Sequence, residues 1–302
     1  MKNVLALFAL AIIISTCSFA AAFPIPSETK SAVTFIFVLD ENKKLIANGT
    51  GFFVGVKTKE KPDTYSVYLV TAKHVFKKKD GSLYSSVIVR INKKSGGAEM
   101  LPLDLTYEGK GKNVFSHDDE SVDLAVVPSL PNQTKYDFLF LPDDLLTTKD
   151  DFKKLNIREG TDVFFTGLFT PQFAQEVADQ RNYPIVRFGK VALVTDEKIN
   201  WGKLNAELYL IESASYGGNS GSPVYFYIEP ERQPGNIMVS APQILKLAGV
   251  MEGTFIESKP ITGIETATVP ASISNIGIAY IVPAYKLYEI LFSDEVKKLR
   301  GF

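Results

Sequence analysis

Tyr216-Gly217-Gly218-Asn219-Ser220-Gly221-Ser222-Pro223 places one serine among small residues, with apolar, strand-like sequence on both sides. Glycines at 217, 218 and 221 allow positive φ and close approach of the backbone, so successive N–H groups can point at a developing negative charge. Taken alone, the same composition also describes a tight turn between strands. A serine hydroxyl is a weak nucleophile that needs a base within hydrogen-bond reach and a third group to orient that base. The catalytic reading therefore depends on a histidine and a carboxylate elsewhere in the chain.

The chain has two histidines. His74 ends the apolar run Tyr68-Leu69-Val70-Thr71-Ala72-Lys73-His74-Val75-Phe76, which reads as a strand passing into a short turn. His117 lies in the polar loop Ser116-His117-Asp118-Asp119-Glu120 and is expected to be solvated. Ser121-Val122-Asp123-Leu124-Ala125-Val126-Val127 puts a carboxylate at the mouth of a strand apolar enough to be buried. A buried Asp is costly unless paired, and the His74 imidazole is its expected partner.

Thr71-Ala72-Lys73-His74, Asp123-Leu124-Ala125-Val126-Val127 and Gly218-Asn219-Ser220-Gly221-Ser222-Pro223 resemble the three signature blocks of the trypsin-like (chymotrypsin-fold) serine proteases, in the family order His, Asp, Ser. Asp123 follows His74 by 49 residues and Ser220 follows Asp123 by 97, against about 45 and about 93 in the Ser-His-Asp template. Gly49-Thr50-Gly51-Phe52-Phe53-Val54 looks like the family's strand ahead of the histidine, and Ile276-Gly277-Ile278-Ala279-Tyr280-Ile281-Val282-Pro283 like its closing strand. The resemblance runs from about residue 32 to the C-terminus. It is to the bacterial branch that includes the HtrA proteases, with no PDZ domain expected before Phe302.

The resemblance implies an all-β fold of two antiparallel six-stranded β-barrels, an active site in the cleft between them, and a C-terminal helix. It makes Ser220 the nucleophile, His74 the base that takes and returns its proton, and Asp123 the group that fixes the imidazole tautomer. The N–H groups of Gly218 and Ser220 would form the oxyanion hole. Ala214, Glu252, Gly253 and Gly277 match substrate-binding positions. Ala214 stands where an Asp would select Lys or Arg, so small to medium apolar side chains are the expected substrates. Glu252 departs from the family's small hydroxyl residue, with either repulsion of Asp123 or a more basic His74 the expected consequence. Asn219, a neutral amide before the serine, cannot hold a new α-amino group by an ion pair, so activation by N-terminal trimming is not expected.

Lys+Arg 33 against Asp+Glu 34 gives a net charge of −1. That implies no basic face and no nucleic-acid partner. The apolar run 4–14 followed by Ser18-Phe19-Ala20-Ala21-Ala22 reads as a secretory signal over 1–22, so an exported, periplasmic or secreted protein is expected. A rival reading takes Ile14-Ser15-Thr16-Cys17 as a lipoprotein box with Cys17 lipidated. Cys17 is the only cysteine, so the mature domain is expected to fold without a disulfide, and no metal or other cofactor is expected.

Strand candidates recur at 33–39, 51–57, 65–71, 86–91 and 124–128, then at 162–167, 187–194, 207–212, 223–227, 248–251 and 277–282. The expected organisation is a linker over 23–31, a first barrel over 32–145, an interbarrel linker over 146–160, a second barrel over 161–283 and a helix over 284–302. Insertions at 169–183 and 228–242 are candidate regulatory loops. The function expected is an exported serine endopeptidase acting on a peptide or protein substrate through an acyl-enzyme. The alternative is a protease-fold protein that binds peptides or a partner without cleaving them. An α/β-hydrolase esterase fails because G-x-S-x-G needs glycine at 222, which is Ser222.

Overall fold

The computed structural model describes residues 25–58, 64–106, 113–168, 180–201, 204–215, 217–228, 244–260 and 271–300. The signal-peptide reading, Cys17 and most of both insertions lie outside these residues.

A single helical turn, α1 (Glu28–Ser31), leads into eight strands. These are β1 (Val33–Leu39), β2 (Leu45–Lys57), β3 (Tyr65–Ala72), β4 (Ser86–Asn92), β5 (Ala98–Asp104), β6 (Phe115–Ser116), β7 (Leu124–Pro128) and β8 (Leu141–Pro142). They pair in the order β5-β4-β1-β2-β3-β7-β6, with β8 parallel to β2. After the helix α2 (Lys149–Lys154) come β9 (Asp162–Gly167), β10 (Ile185–Leu193), the small hairpin β11 (Ile199–Trp201) and β12 (Leu204–Ala206), β13 (Tyr209–Glu212), β14 (Pro223–Ile228), β15 (Ile244–Pro260) and β16 (Ala271–Pro283). Six of them close a barrel in the order β10-β13-β16-β15-β14-β9.

The expectation of two six-stranded barrels is met by one. Among the described residues the first half is an eight-stranded sheet whose pairings run as a path from β5 to β6, not as a ring. Its last strand, β6, offers only two residues to pair, both against β7.

The long apolar runs are explained by burial on both faces, the pattern of a strand with no solvent side. Along β1, Phe35 and Phe37 face one core while Ile36 and Val38 face another. The same split divides Phe52 from Phe53 on β2, Val70 from Leu69 on β3, and Val126 from Val127 on β7. One of these cores belongs to the sheet alone. The other is shared with the barrel, through Phe164, Leu168, Tyr225, Leu247 and Val250. A third core fills the barrel, including Val163, Phe165, Ile211, Val224 and Ile281. Fully burying each such side chain stabilises by about 1.5–3 kcal/mol relative to leaving it exposed, so the junction between halves is held as a core is held.

One connector packs on the barrel and another crosses to the first half. The expected linker contains α2, whose Thr148 and Asp151 form a reciprocal capping box, and Phe152 packs edge-on against Tyr209 and Phe226. Between β9 and β10, Asn182 docks on the first half. It hydrogen-bonds the buried Arg90 guanidinium of β4, and its N–H donates to Asn92 Oδ1 at 2.6 Å.

The single C-terminal helix expected over 284–302 is instead two, α3 (Ala284–Leu291) and α4 (Asp294–Leu299). Ser293 is the reason for the break: its hydroxyl caps a fresh N-terminus by accepting from Val296 N–H at 3.3 Å. Leu287, Ile290, Leu291 and Val296 bury against the shared core, while Leu299 is exposed. No helix among the described residues is long and apolar enough to cross a membrane.

Candidate active site

Strand register brings His74 to Asp123. β3 and β7 are antiparallel with Ala72 opposite Leu124, and Lys73 N–H donates to the Asp123 carbonyl at 3.1 Å. The chain then turns into a 3₁₀ segment (Lys73–Phe76), and His74 N–H donates to Asp123 Oδ1 at 2.9 Å while its Nδ1 hydrogen-bonds Oδ2. A carboxylate only accepts, so the ring proton belongs on Nδ1 and the Nε2 lone pair is left to act as a base. The His74 side chain is 47% exposed and that of Asp123 16%, an accessible imidazole backed by a sheltered acid.

Ser220 reaches the same place from the barrel, in the turn before β14. Gly218 and Gly221 have φ of +94° and +84°, the region that favours glycine. A Cβ on Gly221 would stand 2.1 Å from the Thr50 carbonyl oxygen and 2.2 Å from Thr71 Oγ1, so the turn fits against β2 and β3 only without one. Thr50 holds it there: its N–H donates to the Ser220 carbonyl at 2.8 Å, and its hydroxyl donates to the Gly218 carbonyl at 2.7 Å while accepting from Leu168 N–H at 3.1 Å. Among the described residues the N–H groups of Gly218 and Ser220 donate to nothing, the condition an oxyanion hole requires. Asn219 is buried, its amide donating to Ser215 Oγ at 3.4 Å.

His74 and Asp123 are thus joined to each other, and Ser220 is not joined to them by a hydrogen bond. Its hydroxyl donates to the Glu252 carbonyl at 3.1 Å. Contacts between nucleophile and base commonly tighten only with substrate in place.

The four expected substrate-binding positions fall into two groups. Ala214 is exposed, and its neighbour Ser213 donates N–H to the Gly277 carbonyl at 2.8 Å, which brings Ala214 close to Gly277. Gly277 has φ of +83° and nothing within 4 Å of where its Cβ would be. The guanidinium of Arg187, on β10, donates to the Ala214 carbonyl at 3.2 Å, a cation beside this position that the sequence does not signal. Gly253 lies under Tyr280, whose Oη would be 2.5 Å from an added Cβ. Glu252 is tied to both triad parts, its carbonyl accepting from Ser220 Oγ and its carboxyl in the field of Asp123 and Lys73. Lys73 is itself held below the usual lysine range by partial burial and by Lys77, against the pull of Asp123, Glu120 and Glu252.

His117 corrects an expectation. It is not solvated: its side chain is 14% exposed, Nε2 pairs with Glu289 of α3 at 2.6 Å, and Nδ1 accepts from Asp119 N–H at 2.9 Å. Asp119 in turn pairs with Lys198 at 2.8 Å, so the loop before Asp123 is pinned from the second half and from the C-terminal helix. Thr50 was legible only as the middle of Gly49-Thr50-Gly51. No cluster of three metal-ligating side chains occurs among the described residues.

No protein-family model matches the chain, and no curated protein is similar to it. Among solved structures it is similar to the MamO protease domain from Magnetospirillum magneticum in its apo form, with 17% identity, 88% of this chain and 98% of that chain covered, and a TM-score of 0.48. Two further examples are an inactive form of the Rv3671c protease (17% identity, 87% and 88% covered, TM-score 0.42) and a serine-to-alanine mutant of Rv3671c from M. tuberculosis H37Rv (17% identity, 91% and 89% covered, TM-score 0.42).

Proposed function

We propose that the chain is an exported trypsin-like serine endopeptidase, cleaving peptide bonds by a His74-Asp123-Ser220 triad. The observation that carries this reading is the double hold of Asp123 on His74, through backbone N–H and Nδ1, at the face where the Ser220 turn packs against β2. In this mechanism Ser220 Oγ attacks the carbonyl carbon as His74 Nε2 takes its proton. The N–H groups of Gly218 and Ser220 hold the oxyanion, and the leaving amine takes the proton back as the acyl-enzyme forms. Water, activated by the same imidazole, then releases the acid. Losing one oxyanion donor typically costs about 3 kcal/mol of transition-state stabilisation, so the shape imposed by Thr50 counts alongside the triad.

Fluorophosphonate labelling of the purified protein tests the proposal, since the reagent needs an activated serine and an oxyanion hole but no known substrate. Labelling of wild type that disappears in Ser220→Ala and in His74→Ala is the expected result. A folded wild type that takes no label would sink the proposal in favour of a protease-fold protein that binds without cleaving.

A further inference from the structure

β15 is bulged where it passes the nucleophile. Met251 pairs with Ile281 and Gly253 with Tyr280, which leaves Glu252 as the extra residue in the strand. A bulge of this kind interrupts the alternation of the strand and re-aims a side chain. Here it gives Glu252 two attachments to the site. Its carbonyl accepts from Ser220 Oγ, and its carboxyl enters the space behind Asp123.

That carboxyl is badly placed to be an anion. Oε2 is buried with no hydrogen-bond partner among the described residues. Asp123 faces it from the head of β7, with His74 beyond. Lys73 faces it from the 3₁₀ turn, backed by Lys77 and by the Glu120 carbonyl that accepts from Lys73 Nζ at 3.0 Å. Tyr280 faces it from β16. The ammonium that acts on it among the described residues, Lys73 Nζ, is therefore already engaged with the Glu120 carbonyl. Burial, and then the charge of Asp123, push the Glu252 carboxyl up to about 8, with Lys73 opposing.

We propose that Glu252 is a positioning residue of this site: neutral, it leaves Asp123 the sole anion facing His74, and ionised, it adds a second anion that stabilises the imidazolium formed as Ser220 attacks. The catalytic part rests on the serine-protease reading, whereas the proton on Glu252 does not. The rate should therefore show a rise with pH as Glu252 ionises, beyond the one that a general base gives by itself. An uncharged isostere should keep only the latter.

The experiment is the pH dependence of fluorophosphonate labelling in wild type and Glu252→Gln, with an NMR titration of the His74 ring in both. The expected result is two steps for wild type, the upper near pH 8, and one for Glu252→Gln. At pH 9 the variant should label about tenfold more slowly, as one unit of interaction between neighbouring ionisations would give. Superimposable profiles from two folded proteins would overturn the proposal. If neither protein labels, the protease reading fails, and the His74 resonances decide this one separately: two steps in wild type and one in Glu252→Gln support it, one step in both overturns it. If Glu252→Gln does not fold, a single-step His74 titration in wild type overturns it alone.

Discussion

Two carboxyl groups near His74 have opposite relations to their surroundings. Asp123 is fully used, accepting from the His74 N–H and ring and so fixing which nitrogen carries the proton. In Asp123→Asn an amide nitrogen would face that ring and favour the wrong tautomer. The expected outcome is a folded protein whose labelling falls about 10⁴-fold, the loss typical of this change in the Ser-His-Asp template, measured beside an unchanged melting temperature. Glu252 is the reverse, an acid whose Oε2 is buried with no hydrogen-bond partner among the described residues. Its pKa in the folded chain, about 8, lies above the ordinary 4.5. The folded state therefore binds the proton more tightly than the unfolded one, and stability present at low pH is lost as pH rises between those values. Glu252→Gln has no proton to lose there, so its advantage over wild type should grow from pH 5 to pH 8, as read from urea midpoints. An advantage that stays constant would mean that Glu252 ionises normally.

The serine turn depends on a strand of the other half. β2 contributes Thr50, which occupies both lone carbonyls flanking Asn219, those of Gly218 and Ser220, by hydroxyl and N–H respectively. Thr50→Val keeps the shape and the N–H but removes the hydroxyl, leaving the Gly218 carbonyl and the buried Leu168 N–H without it. We expect a chain that folds with reduced stability and labels about 10²-fold more slowly, the scale of loss when a catalytic geometry shifts by about 1 Å. Near-wild-type labelling would show that the turn keeps its form without β2. Strands of this kind were readable in outline because β-branched and aromatic residues mark them, as in Val33–Leu39, whose bounds the structure reproduces. Ala98–Asp104 escaped notice because Glu99, Pro102 and Asp104 interrupt any apolar pattern in an edge strand. The bulge at Glu252 was unreadable for a different reason. Register is a property of two strands together, and no single run of residues encodes it. The triad was legible because each block pairs a reactive side chain with its own local signal. Thr50 and Arg187 act through distant backbone carbonyls, which leave no local trace.

At the scale of the whole molecule, sheet and barrel share one of the three cores, so neither can expose its contact face without losing buried area from the other. Cooperative unfolding of both halves follows from that sharing, because a free sheet would leave Phe35, Phe52 and Val70 facing water. The Arg90–Asn182 contact tests this, since it joins the halves outside the shared core. Asn182 Oδ1 accepts from the Arg90 guanidinium, and the Asn182 N–H donates to Asn92 Oδ1. Asn182→Ala removes that acceptor together with the side-chain N–H that donates to the Arg90 carbonyl, and keeps the backbone bond. A lost hydrogen bond to a charged, buried group costs about 1.5–3 kcal/mol. The change should lower the urea midpoint without splitting the transition, because the shared core still couples the halves. Far-UV circular dichroism reports on both halves, and fluorescence of Trp201, the only tryptophan, reports on the second. Coincident curves at a lower midpoint are the expected outcome. If the fluorescence transition separates from the dichroism, the Arg90–Asn182 contact supplies the coupling, and the junction that carries the candidate site is weaker than its apolar packing indicates.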